Sequence, residues 1–156
     1  RRQRQMCIRD REKSAKTVYL ITNPAPYLST SVDKVIAADT GPEIVAGSTR
    51  MKAGTATKMI LNMISTTTMI SMGKVYGNLM VDLMAVNEKL VDRGARIIQN
   101  ITGKSYEKSL ETLIRANKSV KTAIVMIMRS CDIIDAQKKL SNAKGMLREV
   151  IEVSDN

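Results

Sequence analysis

Apolar positions along the chain first mark a strand. Thr17-Val18-Tyr19-Leu20-Ile21-Thr22 is a nearly continuous apolar run rich in β-branched residues, and Asn23-Pro24 stops it. Such a run predicts a buried strand of a parallel sheet. In such a sheet Thr22 and Asn23 stand at the carboxyl end, where ligands bind, and turn chemistry accounts for them at least as well. Ala25 to Asp33 reads as a loop or a short helical turn, and Lys34-Val35-Ile36-Ala37 as the next strand. From Lys52 or Ala53 to Met72, residues Ala56, Met59, Ile60, Met63, Ile64, Thr67 and Ile70 recur at helical spacing. Ser65-Thr66-Thr67-Thr68 lowers the intrinsic propensity of that helix, so burial against the sheet is expected to compensate. Gly73 suits its C-terminal cap.

Lys74 to Val81 is ambiguous, because Gly77-Asn78 interrupts an apolar segment. It reads as a loop and then the start of another helix. Asn87 is placed to cap a helix running to Asn100, with Leu90, Val91, Ala95, Ile97, Ile98 and Ile101 inside and Thr102-Gly103 at its end. Glu88, Lys89, Asp92, Arg93 and Arg96 then form a solvated face. After Ser105 the texture changes to short helices over 106–117, 119–129, 132–141 and 145–153. Ser105, Ser119 and Asp132 are placed as N-caps. Leu110, Leu113, Ile114, Ile124, Met128, Ile133, Leu140, Leu147 and Val150 can close a small core. The pattern predicts an α/β fold, with strands and helices of a parallel-sheet kind over 12–103 and a small all-α module over 104–156.

At 156 residues the chain can bury one core, or one core plus a small helical appendage. Its composition holds no Phe, no Trp and eleven Met, and a methionine stripe reads as core packing. The absence of His removes the commonest general base and metal ligand, so no metal is expected. Cys7 and Cys131 form no metal spacing or disulfide framework, which suits a reducing cytoplasm. No apolar run is long enough to span a bilayer, and the basic start has no apolar stretch behind it. Residues 1–11 carry five Arg and one Asp, hence +4 of the net +10. Met6-Cys7-Ile8-Arg9-Asp10 resembles a translated sequencing adaptor, so residues 1–11 are expected to be a foreign or disordered tail. Without them the surplus is ordinary, and no nucleic-acid partner is expected.

The chemistry concentrates between Gly41 and Lys58, in GPEIVAGSTRMKAGTATK. Glycines let backbone approach a ligand closely. A helix that begins here offers free N–H groups and a dipole to an anion, and Arg50 and Lys52 add full charge. Two readings fit. The loop holds a phosphate or similar anion, or Ser48 or Thr49 caps the helix while Arg50 pairs with Glu43.

Gly41-Pro42-Glu43, Gly47-Ser48-Thr49-Arg50, Lys52 and Lys58 resemble the signature shared by N-acetylmuramic acid 6-phosphate etherases and glucokinase regulatory proteins. Asn62-Met63 and Gly73-Lys74-Val75-Tyr76-Gly77-Asn78-Leu79-Met80-Val81 are similar to the etherase branch. The resemblance runs from about Thr17 to the end and covers the C-terminal half of such an enzyme. It implies a sugar isomerase domain, a parallel sheet flanked by helices, with a ubiquitin-associated-like helical module after it. It implies cleavage of the D-lactyl ether of N-acetylmuramic acid 6-phosphate to N-acetylglucosamine 6-phosphate and D-lactate. The reaction is an elimination followed by addition of water and needs no cofactor. The implied setting is a cytoplasmic homodimer acting on a phosphorylated amino sugar. The implied binding residues are Glu43, Ser48, Thr49, Arg50, Lys52 and Asn78, the last also readable as a turn asparagine.

The acid/base glutamates of the family belong to its N-terminal half. No catalytic residue is therefore assigned, and Glu12, Glu43 and Glu88 are not promoted to that role. Asp132 and Asp135 read as helix-surface carboxylates. The main alternative is a non-catalytic sugar-phosphate sensor, like the regulatory proteins that share the signature.

Overall fold

A computed structural model describes residues 9–10, 12–23 and 32–152. Most of the expected tail, like the stretch 24–31, lies outside those residues; Arg9 and Asp10 are helical and exposed. The chain divides into two compact units, Arg1–Ser65 and Thr66–Asn156, with the boundary inside a helix.

In the first unit, strand β1 (Val18–Ile21) pairs in parallel with β2 (Lys34–Ala37), Val18 opposite Lys34 and Ile21 opposite Ala37. The entry to both strands is one polar knot. The Thr17 amide and hydroxyl each donate to Asp33 Oδ2 at 2.8 Å, and the Asp33 amide donates back to Thr17 Oγ1 at 3.2 Å. The Thr17 amide first, then its hydroxyl and Lys16, hold the Asp33 carboxyl down to about 2. The strands fall where the apolar runs predict, but they are not buried. Val18 and Val35 are exposed, because among the described residues this sheet has two strands and no covering layer.

Helix α1 (Lys52–Ser71) also matches its predicted span, and Gly73 follows it with φ +67°. The expected burial of its apolar face does not occur. Ala53 is its buried residue, while Met59, Leu61, Met63, Ile64, Met69 and Ile70 all face solvent. The expectation that methionine marks core fails with it. Met51, Met59, Met63, Met69, Met72, Met80, Met84 and Met128 are exposed, and Met126 is buried.

In the second unit, Val75–Tyr76 (β3) and Leu79–Met80 (β4) form an antiparallel hairpin rather than a loop leading into a helix. Gly77 and Asn78 are its two turn residues, and Gly77 takes φ +58°. Glycine is favoured at that first turn position for this reason. Five helices follow: α2 (Glu88–Thr102), α3 (Tyr106–Arg115), α4 (Val120–Met128), α5 (Ile133–Asn142) and α6 (Leu147–Ile151). The four N-caps predicted in this unit are realised. Asn87, Ser105, Ser119 and Asp132 accept from the amides of Leu90, Lys108, Thr122 and Asp135.

One core joins hairpin and helices. Val81, Ala85, Ile98, Leu113, Ala116, Val120, Ala123, Ile124, Val125 and Ala136 are fully enclosed. The core draws on residues on both sides of residue 103, with Val81, Ala85, Ile97 and Ile98 before it and Leu113 to Val150 after it. Ile114 and Met128, expected inside, are exposed. Helix α3 instead turns Ser109, Thr112 and Leu113 inward. The Ser109 and Thr112 hydroxyls donate to the carbonyls of Ser105 and Lys108 at 2.8 Å, which lets a hydroxyl face be buried without an unpaired polar atom. Gly94 allows close packing here. A Cβ on it would lie 3.0 Å from both Leu113 Cδ2 and Val120 Cγ2.

Polar clasps hold the hairpin onto the helices. The Lys121 ammonium, largely buried, donates to the Gly145 carbonyl at 2.8 Å and lies 3.6 Å from Asp82, which also meets Lys74 at 3.1 Å. The Tyr76 hydroxyl donates to Glu152 at 3.0 Å, and this bond raises its pKa. Gly73 completes the clasp. A Cβ there would stand 2.5 Å from Met146 Sδ.

Candidate functional site

The loop between β2 and α1 is shaped by its own short-range chemistry. The Gly41 amide donates to Asp39 Oδ1 at 2.9 Å, and Gly41 takes φ +63°. Glu43 then reaches the start of α1. Its Oε2 accepts from the Lys52 amide and its Oε1 from the Ala53 amide, both at 3.1 Å. Between these anchors the Ser48 amide donates to the Val45 carbonyl at 3.0 Å, in a turn that needs Gly47 at φ +81°. The Gly54 amide donates to the Thr49 carbonyl at 3.1 Å, and a Cβ on Gly54 would stand 3.3 Å from that oxygen.

Neither sequence reading describes this arrangement fully. The helix start is capped, but by Glu43 rather than by Ser48 or Thr49. Glu43 does not brace Arg50, which is exposed and makes no ion pair among the described residues. The two foremost amides, which an anion was expected to use, already serve the Glu43 carboxylate. The loop thus brings Glu43, Ser48, Thr49, Arg50 and Lys52 into one short segment, with Ser48 half-buried and Thr49, Arg50 and Lys52 exposed. Asn78 does not belong to that segment. It is exposed in the hairpin turn of the second unit.

Sequence reasoning missed several polar residues that position these elements. Asp33 carries no motif, although an aspartate one residue before a strand is a ready acceptor for the neighbouring strand's first amide. Lys121 stands in no motif and is largely enclosed. Asp92 accepts from Arg96 at 2.9 Å and from Tyr106 at 3.0 Å, and these bonds, Arg96 first, lower its pKa. Arg96 also lies 5.6 Å from the Tyr106 ring centroid. Cys131 is half-buried, and desolvation raises its thiol pKa. Among the described residues no helix is long and apolar enough to cross a membrane.

Residues 77–121 match the family described as the C-terminal lid domain of glucokinase regulatory protein. That segment takes in the hairpin turn, β4, α2, α3 and the first two residues of α4. Over longer stretches the chain is similar to proteins named N-acetylmuramic acid 6-phosphate etherase. It is 48% identical to that of Shouchella clausii over 140 residues, which is 90% of this chain and 47% of the relative. It is 50% identical to that of Oceanobacillus iheyensis over 138 residues, 88% of this chain and 47% of the relative. It is 45% identical to that of Escherichia coli (strain K12 / DH10B) over 142 residues, 91% of this chain and 48% of the relative. The chain spans about half the length of these curated relatives. Over nine-tenths of its own length it resembles the N-acetylmuramic acid 6-phosphate etherases, as its signature loop and its hairpin sequence predict.

Proposed function

We propose that the chain is part of a carbon–oxygen lyase that cleaves the D-lactyl ether of N-acetylmuramic acid 6-phosphate, giving N-acetylglucosamine 6-phosphate and D-lactate. The observation that carries this reading is the 45–50% identity to etherases along about nine-tenths of the chain. In this reading residues 12–103 are part of a sugar isomerase domain and 104–156 a ubiquitin-associated-like module. The working form is a cytoplasmic homodimer that recycles cell-wall amino sugars without a cofactor.

The chemistry asked of the chain is binding. Elimination needs a base for the proton beside the sugar carbonyl and an acid for the departing lactate oxygen, each within hydrogen-bond reach. No pair of carboxylates in the described loop is arranged for that, because Glu43 spends both oxygens on backbone amides. Arg50 is suited to the remaining task. Its guanidinium is a fixed cation with a planar donor fork that matches a phosphate or a carboxylate, and the substrate carries both. Ser48, Thr49 and Lys52 stand beside it on the loop. Asn78 is a further contact in this reading.

Lactate release is the test. A chimera in which this chain replaces the matching 140 residues of the Shouchella clausii relative should release lactate from N-acetylmuramic acid 6-phosphate. The 156-residue chain alone should release none. The match to a regulatory-protein lid domain favours a second reading, a sugar-phosphate sensor without turnover. A folded chimera that binds N-acetylmuramic acid 6-phosphate and releases no lactate would establish that second reading.

A further inference from the structure

The first four N–H groups of a helix have no partner within it, and they attract anions. In α1 all four are already satisfied. The amides of Lys52 and Ala53 donate to the two oxygens of Glu43, that of Gly54 to the Thr49 carbonyl, and that of Thr55 to the Met51 carbonyl, each at 3.1 Å. The anion at this helix start is part of the chain. Glu43 lies nine residues before Lys52, so its two bonds close the intervening segment into a loop and tie that loop to the helix. Within the closed segment the turn at Val45–Ser48 and the left-handed Gly47 fix the path of the backbone. Among the described residues the side chains of Thr49, Arg50 and Lys52 are exposed and make no hydrogen bond or ion pair, and Thr49 and Arg50 lie inside the closed segment.

We propose that Glu43 is the positioning residue of this loop. It does not bind the ligand and moves no proton; it presents Arg50 at a fixed place by clamping the segment Ile44–Met51 to α1. A ligand's anionic group is then met by side chains of residues 48–50 and not by the amides of Lys52 and Ala53. This rests on the etherase reading for the identity of the ligand, and on the loop geometry alone for the clamp.

Two measurements test it. Amide exchange in the 156-residue chain reads the clamp directly. The Lys52 and Ala53 amides should be protected, and Glu43→Ala should speed their exchange by about tenfold, the loss of a charge-assisted hydrogen bond. Unchanged exchange would overturn the clamp. Kinetics of the chimera read the role. Glu43→Gln should raise KM about tenfold with kcat held within about threefold, and adding Arg50→Ala should raise KM little beyond Arg50→Ala alone. A fall of about 10²–10⁴ in kcat for Glu43→Gln would make Glu43 an acid or base and overturn the proposal. So would full additivity with Arg50→Ala. If the chimera releases no lactate without any substitution, the etherase reading fails, and amide exchange still decides the clamp.

Discussion

In α4, Val120, Ala123, Ile124, Val125 and Met126 are all buried among α2, α3, α5 and α6. In α1, a helix twice as long and also apolar over much of its surface, Ala53 is the buried residue. The two helices show that apolar content and burial are separate properties. An apolar stripe states which face a helix would bury. A neighbouring layer must be present to cover it. The second unit supplies that layer from its own sequence, with a hairpin and five helices sharing one core. The first unit pairs two strands through Asp33 and fixes its loop through Glu43, so its order rests on polar contacts rather than on packing.

This difference predicts unequal responses to the same kind of substitution. Leu113→Ala, at a fully buried site, should cost about 2–5 kcal/mol in chemical denaturation. Met63→Ala on α1 should stay within about 0.5 kcal/mol. A loss for Met63 approaching that for Leu113 would show that the α1 face is covered in solution.

Gly73 and Gly47 differ in what an added methyl group would meet. Gly73→Ala meets both a left-handed backbone and Met146, and should cost about 1–3 kcal/mol. The same change at Gly47, where the left-handed backbone is the sole constraint, should cost about 1 kcal/mol, seen as a smaller drop in melting temperature. Equal losses would mean that Met146 moves aside at no cost.

Caps come next. Asp132→Ala removes the acceptor for the Asp135 amide and should cost about 1 kcal/mol. Full retention of stability would show that water replaces the aspartate without loss.

What the sequence made legible follows the range of the interactions. The caps at Asn87, Ser105, Ser119 and Asp132 were readable because each is decided within three residues. The spans of β1, β2, α1 and α2 followed from period and punctuation to within two or three residues. The hairpin at 75–80 was not, since an apolar run broken by Gly-Asn fits both a turn and a helix start. The inner face of α3 was misplaced by one position, because Ser109 and Thr112 satisfy their hydroxyls on their own helix and can be buried. The signature loop was legible as a glycine-rich basic segment leading into a helix, but not in its wiring. Glu43 sits nine residues from its partner, and no periodicity connects them.

The smallest effect concerns Asp33. Its carboxyl lies at about 2 in the folded chain against 3.8 unperturbed. The folded value is depressed, so the ionised form is favoured by folding. That contribution is complete above about 4 and is lost as pH falls through the folded value near 2. Asp33→Asn should remove this part of the acid sensitivity, read as the melting temperature between pH 4 and pH 2. An Asp33 titration by NMR near 3.8 would show that the Thr17 knot does not hold in solution.

In the proposed function the segment clamped by Glu43 holds an anionic ligand through Arg50. The most direct measurement is kcat/KM for lactate release by the chimera with Arg50→Ala, taken beside its melting temperature. A fall of about 10²-fold is expected, the scale of a lost charge-assisted contact, with the melting temperature unchanged, because Arg50 has no ion-pair partner among the described residues. Undiminished activity, or a loss of activity that tracks a loss of stability, would contradict it.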